Sequence, residues 1–514
     1  MIQEDSTTTL QDQTDTLQNQ PDSSTLIAQA GGVGSWQLLS YSSPILPCHA
    51  ALLRTGKVFF FAGSGNDPDN AEETKGSALL DLSNETFSRP VTPLNIAGFP
   101  VDIFCAGQTF LADGRLLVAG GTLFYDPFAG ALDALAFDPS TEKWTTLPSM
   151  TQGRWYPTLL TLGDGKVLAV SGLDENGNLS RNPEFLYDTT NGWTNCSQKT
   201  TSNLPMYAHL FLLDNGKIFY SGGDFYGYGG VSPRILSLPT VPASFTKPIA
   251  TAITEKAVTG LQDPSYSNQA ASVLLPPAQD QKVMVIGGGN GGGTGTKRVN
   301  IVDLKATTPT YTAAASLNYS RMHCSAVILP DRTVFVCGGS GSNESKSNAR
   351  KAGEIYDPST DTWTVTASAT VERLYHSVAL LLPDGRVLTG GGNPVRRNNE
   401  LRLEIYSPPY ISQTRPTITS APSSVTYGQQ ITISTPQATN IRWVSLVRPS
   451  ATTHSCDTEQ RLVDCTINSA SGSSLTVTLT SNKNLAPPGW YMLFVTDQSK
   501  VPSVAKWIQV ALSV

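Results

Sequence analysis

Tyr375 and His376 stand side by side in the stretch VERLYHSVALLLPDGRVLTGGGNP, residues 371–394. A phenol next to an imidazole offers two metal-binding groups, one of which can also accept a proton. They sit where a loop runs into an apolar stretch. Asp384-Gly385 then turns that stretch into a second one, a strong hairpin signal. Scaffolds place chemistry at strand mouths that face a cavity. The pair gains meaning if other parts of the chain deliver matching side chains to the same place.

The pattern of apolar strand, glycine-bearing turn, apolar strand and glycine pair recurs along the chain. It occurs at 50–64, 108–121, 158–172, 209–223, 271–289, 325–339 and in the stretch above. Seven copies spaced by about 50 to 65 residues have the period of propeller blades. Outer strands follow most copies as an apolar-Asp pair and then a Trp or Phe, for example Phe137-Asp138 with Trp144, Tyr187-Asp188 with Trp193, Tyr356-Asp357 with Trp363. The expected fold is all-β, a seven-bladed kelch-type β-propeller over residues 34–410. The segment Gly34-Ser35-Trp36 reads as the tail of a blade and is expected to close the ring against the last one, removing two sheet edges. From 411 to 514 the text changes to alternating strands with Pro and Ser turns, as in ITIST, IRWVSLV and WYMLFVT. That suits an immunoglobulin-like (early-set) β-sandwich.

Aligning the copies on their hairpin turns and counting back about eight positions reaches the start of each inner strand. Those positions hold Cys105, Tyr156, Tyr207, His323 and His376. Inner strands line a propeller's channel, so their starts converge at one end of the axis. Scattered residues thereby become one ring, with Tyr375 beside it and Cys105 next to Tyr156. His323 and Tyr207 are expected to support or pack, and His49 and His209 to be structural.

Composition narrows the function. Charged residues are 15% of the chain and the formal net charge is −6, with no basic run, which argues against a nucleic-acid partner. No apolar run reaches membrane-spanning length. Residues 1–33 are polar and repetitive, without the apolar core of a signal peptide, and are expected to form a disordered N-terminal segment. Seven cysteines are an odd number, and Cys456 and Cys465 are close enough in sequence to bridge a small hairpin. The run GGGNGGGTGTK at 287–297 lacks the Gly-Lys-Ser/Thr ending of a phosphate loop and falls where each blade has its glycine pair.

These residues resemble a known family, the copper radical oxidases of the galactose oxidase and glyoxal oxidase group. The resemblance rests on Cys105 in DIFCAG, Tyr156 in GRWYP, Tyr375-His376 in RLYHS and His454 in TTHSCDTEQR. SPPY, APPGWYMLF and PSVAKWIQV extend it from Trp36 to the end of the chain. The wording RWYP and RLYHS is closer to glyoxal oxidases and their bacterial relatives. His454 enters only through this resemblance, since nothing in its spacing points it at the channel.

The resemblance implies one Cu(II) ion held by Tyr156, His376 and His454, with Tyr375 axial. It also implies a Cys105–Tyr156 thioether carrying a tyrosyl radical, which leaves six cysteines. Tyr375 would take the hydroxyl proton of a small primary alcohol or aldehyde (as its hydrate), and the radical its carbon-bound hydrogen. O2 would then be reduced to H2O2. An aromatic ring should shield the radical, with Phe124, Tyr125, Trp155, Phe225, Tyr226 and Tyr228 as candidates. A monomer at or beyond the cell surface completes the expectation. The alternative is a non-catalytic kelch propeller that binds a protein or glycan and has no need of copper ligands.

Overall fold

The computed structural model describes residues 32–70, 76–196, 199–224, 231–239, 253–291 and 293–512. The expected N-terminal segment, save its last residues, and the candidates Phe225, Tyr226 and Tyr228 lie outside them. The chain folds as seven blades followed by a sheet-rich C-terminal domain, the all-β architecture expected.

Each blade is an antiparallel meander of short strands, apolar at its inner strands and wetter at its edge. Blade 2 shows this clearly: Gly107–Phe110 and Leu116–Ala119 are fully buried, whereas Lys143–Leu147 at its outer edge is mostly exposed. The inner strands are His49–Leu52, Gly107–Phe110, Thr158–Thr161, Leu210–Leu212, Ala271–Leu274, Ser325–Ile328 and Ser377–Leu381. Ser35–Ser42 completes blade 7 by pairing with Arg402–Ser407, Trp36 opposite Tyr406. The ring therefore closes with a strand from early in the chain, which covers the edge that Arg402–Ser407 would otherwise leave bare.

The glycine pairs have a steric reason. Gly120, Gly287 and Gly338 have positive φ, and a Cβ on any of them would collide with the backbone or Cβ of the arginine in the next blade's channel loop. The glycine that follows each donates its N–H to that arginine's carbonyl at 2.7–2.9 Å. The repeat signature thus locks each of these blades to the loop that starts its neighbour.

The C-terminal strands pair in the order Ser424–Thr426, Lys506–Ala511, Gly489–Asp497, Ile441–Val447, Leu462–Ser471, Ser474–Thr478, Gln430–Ser434. Ile431, Ile433, Leu475 and Val477 share a core with Val444, Leu446, Tyr491, Leu493 and Ile508. The same core takes in Phe211, Leu213 and Phe219 of blade 4, so the domain is packed against the propeller.

All seven cysteines are free and buried, so Cys456 and Cys465 are not bridged. The reason is topological. Cys456 lies in a short strand that joins the sheet of blade 1, whereas Cys465 lies in Leu462–Ser471 of the C-terminal sheet.

Candidate metal centre

The residues at the channel end share an unusual backbone conformation. Cys105, Tyr156, Tyr207, His323 and His376 have φ of 59°, 63°, 45°, 59° and 65°. Left-handed φ costs a non-glycine residue roughly 1–2 kcal/mol and persists where the surroundings over-determine it. Here it turns the chain at the mouth of each inner strand. Neighbouring turns are also tied together: Tyr156 N–H donates to the Cys105 carbonyl and Tyr207 N–H to that of Tyr156, each at 2.9 Å. His323 N–H donates to Gln269 in the same way. Gln269, with φ of 60°, is the blade 5 member of the ring, which the sequence alignment missed. The longer turn of that blade hides it when copies are counted back from the turn.

Buried ion pairs brace three of these loops. Arg154 pairs with Glu184 at 2.7 Å, Arg321 with Glu354 at 3.1 Å and Arg373 with Glu404 at 3.5 Å. Each arginine also donates to a carbonyl at or just past the end of its own blade's second strand: Ser171, Gly338 and Gly391. The signal was present in the text, as an arginine two or three residues before the ring residue and a glutamate at the third strand. Asp102 shapes the Cys105 loop by accepting from the backbone N–H of Ser64 and Phe104. Burial raises its carboxyl to about 6.

His454 reaches the ring by a different route. After Ile441–Val447 the chain leaves the C-terminal sheet as a finger, residues 448–461, and runs up the propeller axis. Its strand Ala451–Thr453 adds to the inner strand of blade 1, His49 opposite Thr453. Gln108 donates to Thr452, Thr458 to Leu159, Gln460 to Ile328 and Arg461 to Leu212, so inner strands of several blades hold it. At the tip, Thr453 pairs with Cys456, leaving a two-residue turn of His454 and Ser455 with φ of 48° and 63°. That is the geometry of a type I′ hairpin, which ordinarily selects Asn-Gly. At the base, Arg448 is hydrogen-bonded to Glu459, both buried.

The finger carries His454 into the ring of blade residues. The Tyr156 and Tyr375 hydroxyls share a hydrogen bond of 2.6 Å, and His454 Nε2 lies 3.2 Å from the Tyr156 hydroxyl. The sulfur of Cys105, itself a side-chain neighbour of Tyr156, lies 3.9 Å from His454 Nε2. Ligand atoms of Cys105, His376 and His454 all fall within 4.8 Å of one another. All five expected site residues therefore meet in one cluster, buried except for the half-buried Tyr375. His323 packs its ring 5.3 Å from that of Tyr375 and is hydrogen-bonded to Glu344. His49 lies 5.9 Å from His454, stacked on Phe61. His209 contacts Ser272, lower in the channel.

The protonation states suit a cation. Burial pushes His376 down to about 3, and burial followed by the nearby imidazoles lowers His454, so both rings are neutral and able to ligate. Neither ring nitrogen of His376 has a partner of hydrogen-bond geometry, although Asn393 lies close enough to favour its proton slightly. The tautomer of His454 follows from its neighbours. The Thr453 hydroxyl donates its one proton to the Cys48 carbonyl at 2.8 Å, so it accepts from His454 Nδ1 at 2.5 Å. Nε2 then carries the lone pair, on the side of Tyr156. Burial, and after it the nearby thiol, raises the Tyr156 phenol, a shift that a bound metal ion would reverse.

Tyr156 is enclosed by rings. Trp155 stacks on it at 3.8 Å and 11°, and Tyr207 lies at 4.7 Å. Among the described shield candidates, Trp155 is thus the one in contact. Phe124 is exposed, and Tyr125 stacks at 6.4 Å on Phe104.

Comparison with known proteins agrees. Residues 257–410 match the glyoxal oxidase N-terminus family and residues 415–510 the galactose oxidase-like early set domain. A galactose oxidase from Gibberella zeae is 28% identical, covering 95% of this chain and 72% of that protein. An aldehyde oxidase GLOX from Vitis pseudoreticulata is 27% identical, covering 94% and 98%. The structure of a fungal alcohol oxidase in complex with copper superposes with a TM-score of 0.78 at 26% identity, covering 94% of this chain and all of that one. Over residues 257–410 and 415–510 the chain is thus similar to the galactose oxidase and glyoxal oxidase group of copper radical oxidases.

Proposed function

We propose that the protein is a mononuclear copper oxidase that converts a small primary alcohol or aldehyde by two electrons, reducing O2 to H2O2. The observation that carries this reading is the convergence of Cys105, Tyr156, Tyr375, His376 and His454 in one cluster. The relatives' names, galactose oxidase, aldehyde oxidase and alcohol oxidase, support this substrate class.

His376, His454, Tyr156 and Tyr375 would hold the metal, the first two as neutral imidazoles. Bound copper would supply Lewis acidity and one of the two oxidising equivalents. Cys105 and Tyr156 would supply the other as a thioether-linked phenoxyl radical. Tyr375, hydrogen-bonded to Tyr156, accepts the substrate's hydroxyl proton. Tyr156 takes the hydrogen atom from the substrate carbon. Trp155 and Tyr207 keep water from the Tyr156 ring faces. No helix among the described residues is long and apolar enough to cross a membrane, and the proposal includes a monomer working at or beyond the cell surface.

Cys105→Ser tests the reading. It should bind copper at the wild-type stoichiometry and release no peroxide from any alcohol or aldehyde the wild type oxidises. Undiminished turnover would refute the thioether radical.

A further inference from the structure

The ring stack over Tyr156 does not end at Trp155. Phe128 lies parallel to Trp155 at 4.2 Å and 14°, and Tyr125 leans on Phe128 at 5.2 Å. The Arg396 guanidinium then lies 5.6 Å from the rings of both Tyr125 and Phe128 and ion-pairs with Asp126 at 2.7 Å. Exposure rises along this line, from 1% at Tyr156 and 6% at Trp155, through partly buried Phe128 and Tyr125, to the exposed Arg396–Asp126 pair. The hairpin that carries Tyr125 and Phe128 is drawn in by Gly130, where a Cβ would lie 2.4 Å from the Trp155 nitrogen. The stack thus joins the two faces of one contact, blade 2's hairpin and blade 3's channel loop.

A shield needs one ring in contact with Tyr156. Three further groups leading outward from it ask for another role. Tyr156 is too buried for a dissolved oxidant to touch, yet the radical form requires that it lose an electron. Electronic coupling falls steeply across gaps, and rings in van der Waals contact leave few. We propose that Trp155, Phe128 and Tyr125 form the electron path from Tyr156 to the surface, where an outer-sphere one-electron oxidant collects the electron beside Arg396. This rests on the thioether-radical reading above. With hexacyanoferrate(III) as oxidant, one electron leaves the Tyr156 phenolate, giving the phenoxyl radical, and one hexacyanoferrate(II) forms. No proton moves, and the rings between serve as a bridge.

The test is stopped-flow absorption on copper-loaded enzyme reduced to its radical-free state, mixed with hexacyanoferrate(III). The radical is then returned with hexacyanoferrate(II). In Phe128→Leu and Tyr125→Leu, both directions should slow by the same factor, about tenfold or more, while the equilibrium position stays at the wild-type value. Equal slowing of both directions marks a path, whereas a changed equilibrium marks an altered site. Mass and copper content confirm that each variant is intact, and Trp155→Phe, which keeps a ring, should slow transfer less than Phe128→Leu. Wild-type rates in both leucine variants would overturn the path and leave the radical standing. Faster spontaneous radical decay with unchanged oxidation rates would also overturn it, leaving the stack a shield only. Absence of any radical band in the wild type would instead remove the reading beneath it.

Discussion

Blades and finger deliver side chains to the same centre by different means. Cys105, Tyr156 and His376 come from a turn that the propeller repeats, left-handed at its key residue and tied to the adjoining blades. His454 comes from a hairpin that occurs once, crosses from one domain into the other and depends on inner strands of several blades. Both routes end in a residue with positive φ. The repeat can tolerate that strain because each copy is held by its neighbours, whereas the finger must be held by contacts of its own. A repeated scaffold thus supplies many positions from one structural solution, and a unique insertion completes the ligand set.

Removing the brace of each route should sharpen the contrast. Arg448→Ala, at the finger's base, and Arg321→Ala, in blade 6, each leave a buried glutamate unpaired, at a cost of about 3–5 kcal/mol in denaturant unfolding. Only Arg448→Ala should also weaken copper binding, because it loosens the finger. Equal copper loss in both would mean that the routes are not independent.

Next in size is the ligand itself. His454→Ala should lower copper affinity, measured by competition with a chelator, by more than the about 10–100-fold typical of losing an outer partner. His323→Ala, from the same ring level, should leave affinity at the wild-type value. The reverse outcome would break the assignment of the finger as the ligand carrier.

Acid probes the channel between the two. His209 is pushed down to about 3 by burial, below the 6.5 of an unfolded chain. Between those values the unfolded state binds more protons, so its contribution is complete above about pH 6.5 and is lost as pH falls toward 3. The loss amounts to about 1.4 kcal/mol per pH unit at its steepest. Unfolding at pH 7 and pH 5 should show this, and His209→Gln should flatten it. The smallest effect is expected at the finger tip. Ser455→Gly relieves left-handed strain and should stabilise by about 1 kcal/mol, read as a raised midpoint.

The contrast also explains what was legible in the sequence. Hairpin turns and glycine pairs are local, so the seven blades, the closing strand at Trp36 and the convergence of Cys105, Tyr156 and His376 could be read by alignment. Gln269 escaped because its blade has a longer turn. His454 could not be derived from spacing at all. His-Ser is no turn signal, and the contacts that place it, with Cys48, Gln108 and Leu159, are far away in the chain. Resemblance supplied it. The Cys456–Cys465 bridge failed for the same reason, since nine residues of sequence hid a change of sheet.

The central claim is that Cys105 and Tyr156 become one cofactor beside copper. Peptide mapping by mass spectrometry tests it most directly, on protein loaded with copper in air and then fully reduced to remove any disulfide. The account predicts a single linked species joining the Cys105 and Tyr156 peptides, lighter than their sum by about 2 Da for the hydrogens lost as the carbon–sulfur bond forms. Recovery of both peptides separately, with a free thiol at Cys105 and an unmodified ring at Tyr156, would contradict it.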